Sequence, residues 1–528
     1  MKVVFPRMET LYFHKAYDGG AKYVHYLAEE LAKNGVEATI VTTRLRNQPE
    51  LTETMHNGVK YVFLQPYYTG DRKIKINIPY KLIFSWNLKN YLEKTDFDIL
   101  HSSESFAYFY LHKKNKRPVI YQTWAMEAWY GKETLSQRGL KKAYVKIFLR
   151  HPWQYVIEKS DSIAADGEFQ IPRIEKLGVS GKKVFFLPNG VNFYQIQKMK
   201  KRASNRRKEL GIKDKDCLVL SVCQISPDKG IEDIIAGFSM VKRKIPNAKL
   251  LMVGRGILEE KMYEMIKRYG LEKEVIHRKN VPEETLYDYY FSSDIFVSAT
   301  LSEDFMITIQ EAMAAGLPVV SSSQPYLVKD GINGYVIGFK NPKGMMEAIL
   351  KIYKSKKDLK RMGSNSKKMA EEYDYQNLAQ TAMKEYGKLS KNRIKIRKMG
   401  FFDMFRVKKM YDKSSERTRS QFEPRFLVNL PYFILLYLLN RIDAYVSEDA
   451  GDMMGFTYTT NLKNVVFGIM VREDYQGKGV GRKLMDIILR GKRDVWLTVQ
   501  AKNKNAKKLY ESFGFKELGR DVTMRRRV

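Results

Sequence analysis

The stretch S-E-D-F-M-I-T-I-Q-E-A-M-A-A-G-L-P-V-V, Ser302 to Val320, holds a loop, a helix and the start of a strand. Ile295–Ser298 before it is apolar enough for a buried strand, which Ala299–Ser302 leaves. Ile307–Ala315 is helix-forming and closes at Gly316, a left-handed stop signal, and Pro318 opens the next apolar run. Glu303 then falls in the loop after a strand's carboxyl end, and Glu311 on the helix that follows. In open α/β sheets that crevice is where ligands bind, and the helix amino end offers free N–H groups to a diphosphate. A loop carboxylate can accept hydrogen bonds from sugar hydroxyls, and one on the helix can hold a ribose. The bare spacing of two glutamates is weak, since a solvated loop acid and a helix-surface acid give the same pattern.

The sequence around this unit repeats its logic. Short apolar runs at Lys2–Phe5, Glu37–Thr42, Lys60–Phe63, Asp98–His101, Pro118–Gln122, Ser162–Ala165 and Val184–Leu187 alternate with helix-forming segments such as Ala21–Lys33. A basic stretch, Lys201–Lys208, reads as a linker. A second alternating set follows at Leu218–Val222, Lys249–Val253, Val275–Ile276, Ile295–Ser298 and Val319–Ser321. It ends in a Lys-rich helical segment, Lys343–Lys388. Alternation of this kind predicts parallel sheets wrapped by helices. Near Asn392 the pattern changes to a strand at Ile394–Arg397, a helix at Asp403–Asp412 and a strand-dense stretch from Asp443 to Val471. That reads as antiparallel pairing. The expected division is therefore 1–195, 196–390 and 393–528, in keeping with the domain count that 528 residues suggest.

The last part carries its own signature, Q-G-K-G-V-G from Gln476 to Gly481, after the strand Val465–Val471 and opening a helix at Gly481–Leu489. Its glycines let backbone N–H groups of Gly477, Lys478, Gly479, Val480, Gly481 and Arg482 wrap a pyrophosphate at a helix amino end. A flexible turn would look the same. The string N-K-N-A-K-K-L-Y-E-S-F-G-F, Asn503 to Phe515, supplies a second half. Ala506, Leu509, Tyr510 and Phe513 share one helix face, so Tyr510 is at least a core aromatic.

Composition narrows the partners. With 93 Lys+Arg against 59 Asp+Glu the net charge is +34, which attracts nucleic acid, anionic lipid or phosphorylated substrates. No nucleic-acid module accompanies it, so no nucleic-acid partner is expected. Basic aromatic stretches at Lys73–Lys94 and Leu140–Val156 suit an anionic membrane surface, or simply a solvated basic face. Met1–Phe5 enters a strand directly, and no clean apolar run reaches the roughly 18 residues of a spanning helix; Phe426–Leu439 is broken by Asn429 and Pro431. A cytoplasmic protein is expected, peripheral on the inner face of the cell membrane if the charge engages lipid. Cys217 and Cys223 sit about 20 Å apart along one strand, which excludes a disulfide between them within it.

The first signature, E-x7-E running into A-M-A-A-G-L-P-V-V, resembles the retaining glycosyltransferases of family 4, which have the GT-B fold. Other pieces arrive in that family's order: Asp18-Gly19-Gly20-Ala21, Leu187-Pro188-Asn189-Gly190-Val191-Asn192, Asp228-Lys229-Gly230-Ile231 and Lys329-Asp330-Gly331-Ile332-Asn333-Gly334-Tyr335. The resemblance covers about residues 1 to 390. It implies two Rossmann-like domains, a nucleotide-sugar donor and a glycan or lipid-linked acceptor. Lys229 would neutralise the diphosphate, Glu311 bind the ribose and Glu303 the transferring sugar, beside Phe305, Met306 and Ile307. Gly19 and Gly20 would let backbone approach the phosphates or acceptor. No metal is implied. Three positions depart from the family. Gln224 stands where an Arg is usual, with Arg255 a candidate replacement; E-G-F-G reads Glu303-Asp304-Phe305-Met306; and T-x-H-G reads Gln122-Thr123-Trp124-Ala125, with His101 following a different strand.

The second signature resembles the GNAT acetyltransferases over about residues 393 to 528, matching N-x-x-A-x-x-L-Y-x-x-x-G-F. That implies an α+β domain with a mixed, mostly antiparallel sheet, and acetyl-coenzyme A held by Val471, Gln476, the Gly477–Arg482 loop, Asn503 and Tyr510. Tyr510 would protonate the departing thiolate while an amine attacks the thioester. Glu448, Glu473 and Asp474 are candidate bases among which the sequence does not choose. The two resemblances together imply a bifunctional enzyme of glycoconjugate assembly, with an amino sugar as the simplest shared molecule. Two other readings stay open: an inactive glycosyltransferase-like scaffold carrying an active acetyltransferase, and a charged membrane platform on which neither domain turns over.

Overall fold

A computed structural model describes residues 1–15, 19–67, 78–113, 116–123, 151–301, 306–323, 326–392, 394–420, 430–449, 452–460, 465–492, 494–500, 503–518 and 523–527. The chain forms two compact units, one of residues 1–114 and 118–385, the other of 386–528 with 115–117. The first unit is built on two α/β sheets.

In the first sheet the strands run in the order Glu53–His56, Val59–Tyr67, Glu37–Arg44, Lys2–Pro6, Ile99–Ser103, Val119–Gln122, Ser162–Ala165, Val184–Phe186. All neighbours are parallel except the first pair. That pair is a hairpin turned by Asn57 and Gly58, both at positive φ (49 and 79), the backbone a tight hairpin turn demands. The edge strand Glu53–His56 was not legible in the sequence, because none of its side chains is buried and it shows no apolar alternation. The helix Gly19–Lys33 follows the first strand and buries Ala21, Tyr23, Val24, Leu27, Ala28 and Leu31. Gly35, at φ 80, stops the chain just beyond it.

The second sheet, Val275–Arg278, Ala248–Val253, Cys217–Val222, Ile295–Ser298, Val319–Ser321, Gly334–Val336, is parallel throughout. Every residue of Cys217–Val222 is buried, which is why a central parallel strand reads as an unbroken apolar run. Lys201–Lys208 is more than a linker. Arg207 is buried and donates to the carbonyls of Lys213 (2.9 Å) and Ser292 (3.0 Å) and to Asp294 (3.2 Å), while Arg206 holds Asp288. A charge run need not be solvated when fixed carboxylates and carbonyls await it. The helix Tyr375–Asn392 returns to the first sheet, where Tyr375 packs near Tyr26 (5.4 Å between ring centres) and Glu385 accepts from Ser162 (2.9 Å).

The second unit has one mixed sheet: Lys395–Lys398, Ile442–Asp449, Asp452–Thr460, Val465–Val471, Asp494–Thr498, Thr523–Arg527, Lys516–Glu517. Only Val465–Val471 and Asp494–Thr498 pair in parallel; the other ladders are antiparallel. The helices Asp403–Lys413 and Leu430–Leu438 bury Met404, Val407, Met410, Phe433 and Leu436 with Phe456 and Tyr458 of the sheet. No helix among the described residues is long and apolar enough to cross a membrane.

Candidate functional sites

In the first unit two helices begin close together. Gly19 opens one and Ile307 the other, and a Cβ on Gly19 would stand 3.0 Å from Ile307 Cδ1. A small residue suits this close approach, since a Cβ there would make the Ile307 side chain shift. The Met306 side chain does not cap Ile307–Ala315, and Thr308 Oγ1 is buried there with no hydrogen-bond partner. An unmatched hydroxyl at a helix amino end suits an anionic ligand. The Asp228–Gly230 turn is tied beside it: Asp228 O accepts from Leu301 N (2.8 Å) and Thr300 Oγ1 (3.3 Å). Gly230 sits at φ 60, where a Cβ would meet Ala299 O at 2.0 Å. Lys229 pairs with Asp228 at 2.9 Å. Gln224 and Arg255 are exposed on neighbouring loops, joined by Ile225 N to Arg255 O at 3.0 Å. Glu303 and Phe305 lie outside the described residues.

Glu311 is 4% exposed and fully engaged: it accepts from Lys22 Nζ (3.1 Å), Tyr290 (3.1 Å) and Tyr287 (3.4 Å). Its charge holds the Lys22 ammonium above its ordinary pKa against the opposing effect of burial. Burial, then Glu311, pushes both phenols upward, so they remain donors. Lys22 belongs to the first sheet's helix and Glu311 to the second's, so this ion pair bridges the two halves of the unit. Met306 precedes the helix and takes a weak hydrogen bond from Ser298 (3.4 Å). His101 is buried and bonded to Gln122 Oε1 (3.2 Å), which also accepts from Tyr23 (2.8 Å); burial holds the imidazole at about 4, hence neutral. Trp124 lies outside the described residues.

In the second unit Val465–Val471 and Asp494–Thr498 pair only at Val465–Val495 and Val466–Trp496. Beyond that the strands part and leave a cleft of about 820 Å³ between Phe467–Val471 and Leu497–Val499. Gln476, Gly477, Gly479, Gly481 and Arg482 close one end, and Asn503–Ala506, Leu509 and Tyr510 line the side. Gly477 and Gly479 adopt φ 76 and 79 with open space around them, so backbone conformation alone demands glycine. At Gly481 a Cβ would stand 3.2 Å from Leu509 Cδ2, a tight approach that the leucine must yield to. Asn503 caps the helix Lys504–Glu511 by accepting from Ala506 N (3.2 Å). Tyr510 is buried edge-on against Phe467 (6.1 Å between ring centres), and burial pushes its phenol upward, keeping it protonated.

Residues 203–369 match the family of glycosyl transferases group 1, residues 17–194 glycosyltransferase family 4, and residues 440–517 the acetyltransferase (GNAT) domain. The chain joins GT-B glycosyltransferase domains to a GNAT acetyltransferase domain. It is similar to an uncharacterised glycosyltransferase of Methanocaldococcus jannaschii, 24% identical over 373 residues, 68% of this chain and 92% of that protein. It is also similar to the alpha-monoglucosyldiacylglycerol synthase of Streptococcus pneumoniae, 25% identical over 238 residues, 44% of this chain and 53% of that protein. The fold is that of a sucrose-phosphate synthase from Thermosynechococcus elongatus, with a TM-score of 0.60 at 18% identity over 74% of this chain and 98% of that one.

Within the GNAT cleft most of the residues expected from sequence line one wall: Val471, Gln476, Gly477, Gly479, Gly481, Arg482, Asn503 and Tyr510. Two do not. Val480 packs with Met454, Tyr475 and Leu484, and Lys478 reaches back over the Tyr475 ring at 5.0 Å. A helix's first turn must send one side chain into the core, and Val480 is the apolar one. Ser415, Thr418, Phe467 and Leu497–Val499 also line the cleft and were missed, because no motif spans strands and a helix so far apart in sequence. The candidate bases now separate. Glu448 is held by Arg397 (2.8 Å) and Arg406; burial raises its pKa, but those two guanidinium groups outweigh it and lower it overall. Asp474 pairs with Arg472 (3.0 Å). Glu473 lines the cleft, accepting from Ser415 N (3.0 Å) and Thr418 Oγ1 (2.6 Å). In the glycosyltransferase unit Lys22 was missed, since only the fold brings it to Glu311. Among the described residues no cluster of His, Cys, Asp or Glu is placed to hold a metal ion.

Proposed function

We propose that this chain is a bifunctional enzyme of glycoconjugate assembly, with 1–195 as acceptor half, 196–390 as donor half and 393–528 as acetyltransferase. The first unit would transfer a sugar from a nucleotide donor with retention. The single observation that carries this is the meeting of two helix starts at Gly19 and Ile307, with Thr308 Oγ1 buried there without a hydrogen-bond partner and the Lys229 turn tied to Thr300 and Leu301. Amide dipoles and an ammonium supply charge to a leaving diphosphate without a metal. A lipid-linked acceptor is supported by the name of the alpha-monoglucosyldiacylglycerol synthase relative. Anionic membrane contact through the amino-terminal half accords with the charge of +34.

In the second unit, the open edge of Phe467–Val471 can take an extended amide chain by strand addition, with the pyrophosphate at the Gly477–Arg482 turn. Acetyl-coenzyme A fits that arrangement. An amine would attack the thioester carbonyl after losing a proton toward Glu473, and Tyr510 would give its proton to the departing thiolate. An amino sugar is the acceptor we favour, being the simplest molecule both units can share. The test is to offer acetyl-coenzyme A with amino-sugar nucleotides, amino-sugar lipids, polyamines and peptides, and to follow thiol release. Activity confined to peptides or polyamines refutes the shared sugar. A second reading, a glycosyltransferase unit that binds without turnover, draws on Gln224 and on the full engagement of Glu311. Nucleotide release from sugar donors separates the two.

A further inference from the structure

The GNAT unit presents an apolar face that its own core does not use. Helices Asp403–Lys413 and Leu430–Leu438 pack their inner side chains on one layer of the sheet. Tyr437 donates to Met399 O (3.2 Å), tying the second helix to the corner that leads into the first. Phe401 and Phe402, in the turn that leads into the first helix, and Phe405 on it cluster at 5.6 and 6.1 Å between ring centres, and Leu435, Leu438 and Leu439 are exposed on and just beyond the second. Phe402 is 79% exposed and Leu438 65%. A surface helix normally turns polar residues outward, yet Leu430–Leu439 contains no charged or amide side chain. Grouped exposed apolar residues of this size mark a contact surface.

The rim decides the occupant. Lys395, Lys398, Lys409, Lys413 and Arg441 are exposed around it. Most nearby acids are engaged elsewhere: Asp403 and Glu448 are bound by Arg397 and Arg406, and Asp412 by Lys408 (2.6 Å); Asp443 stands 3.1 Å from Lys492 and 3.9 Å from Lys398, leaving Lys395, Lys409, Lys413 and Arg441 in excess on the rim. Aromatic and aliphatic tips ringed by cations match an anionic lipid surface. A second copy, itself carrying +34, would meet like charge with like. At about 1.5 Å per residue, the nine residues Leu430–Leu438 cannot span a bilayer, so the helix would lie in its plane.

We propose that this face of the GNAT unit rests on an anionic bilayer surface, Phe402 and Leu438 entering it and the Lys/Arg rim meeting headgroups. The full-length protein should sediment with phosphatidylcholine–phosphatidylglycerol vesicles at low salt, and several-fold less with phosphatidylcholine alone or at high salt. The double variant Phe402→Glu, Leu438→Glu should lose about tenfold or more of that partitioning, with unchanged thermal unfolding. Reversing Lys395, Lys398 and Lys409 to Glu should erase the preference for anionic vesicles. Should the double variant misfold, Phe402→Trp decides: emission that shifts to the blue on adding anionic vesicles beyond any shift of the wild type's five tryptophans supports the proposal, and a shift no larger than wild type's overturns it. Binding equal to wild type in the double variant also overturns it, and leaves membrane contact to the amino-terminal half. So does a wild-type dimer that the double variant dissolves, which would make the face a copy-to-copy interface.

Discussion

The two clefts are assembled over very different distances along the chain. The acetyl-transfer cleft draws on residues from Ser415 to Tyr510, and its glycine turn, helix start and capping Asn503 are local structures that a short string encodes. The proposed sugar site would draw on Gly19, Lys22, Lys229 and Glu311, and the Lys22–Glu311 ion pair there joins residues 289 apart. Local encoding leaves a cleft open, with Tyr510 and Gly477 at its walls. Long-range assembly gives a carboxylate, Glu311, that is already satisfied by three protein donors. On the proposed reading, a donor ribose would have to compete with Lys22 and the two tyrosines for it. The difference teaches that one site is preformed and the other depends on how its two halves meet.

The sharpest way to break that comparison is Lys229→Ala. If this ammonium supports the leaving diphosphate, sugar transfer should fall by about 10²- to 10³-fold in kcat, while acetyl-coenzyme A binding by the same protein is unchanged. Unaltered transfer would remove Lys229 from the site. On the other side, Tyr510→Phe keeps the aromatic packing against Phe467 and removes only the phenolic proton. Thiol release should slow by about 10²-fold in kcat with little change in KM for acetyl-coenzyme A. A large rise in KM with unchanged kcat would make Tyr510 a wall residue only.

A third pair of variants sharpens the contrast. Gln224 and Arg255 share adjoining loops, and only Arg255 carries charge. Arg255→Ala should raise KM for the nucleotide sugar about tenfold, the scale of one charge-assisted hydrogen bond. Gln224→Arg should move it the other way. Lys22→Ala tests the bridge: freeing Glu311 for ribose would lower KM, whereas loss of a cation that serves the donor would raise it. Steady-state kinetics with one donor distinguishes the cases.

Much of this was legible. The strands at Lys2, Cys217, Ala248 and Ile295 are buried apolar runs, and their alternation with helices names the fold class. Gly477 and Gly479 were legible because a left-handed backbone leaves few choices of residue. Lys22 was not, because only the packing of Gly19 on Ile307 brings it to Glu311. Arg207 was misread for the same reason: its carbonyl and carboxylate partners come from Lys213, Ser292 and Asp294, and nothing local announces them. Glu53–His56 carries no burial signal at all, its pairing being set by the Asn57-Gly58 turn.

The smallest effect expected concerns stability rather than turnover, and it separates the GNAT unit's polar scaffold from its cleft. Asp403 sits among Arg397 (2.8 Å), Arg406 (2.9 Å) and Gly400 N (2.8 Å). Burial alone would raise its pKa; the Arg397 hydrogen bonds, the Gly400 amide and the guanidinium charges outweigh it and hold the carboxyl at about 2. An acid whose folded value lies below its unfolded value, about 3.9, adds stability that is present above the unfolded value. That contribution is lost as the pH falls through the folded value, so the window runs from about pH 4 down to about pH 2. Asp403→Asn keeps the shape and removes the titration. Its thermal unfolding should be lower than wild type near neutral pH, and the gap should narrow across that window as the wild type becomes protonated. A gap that stays constant with pH would mean that the network holds Asp403 by geometry and not by charge.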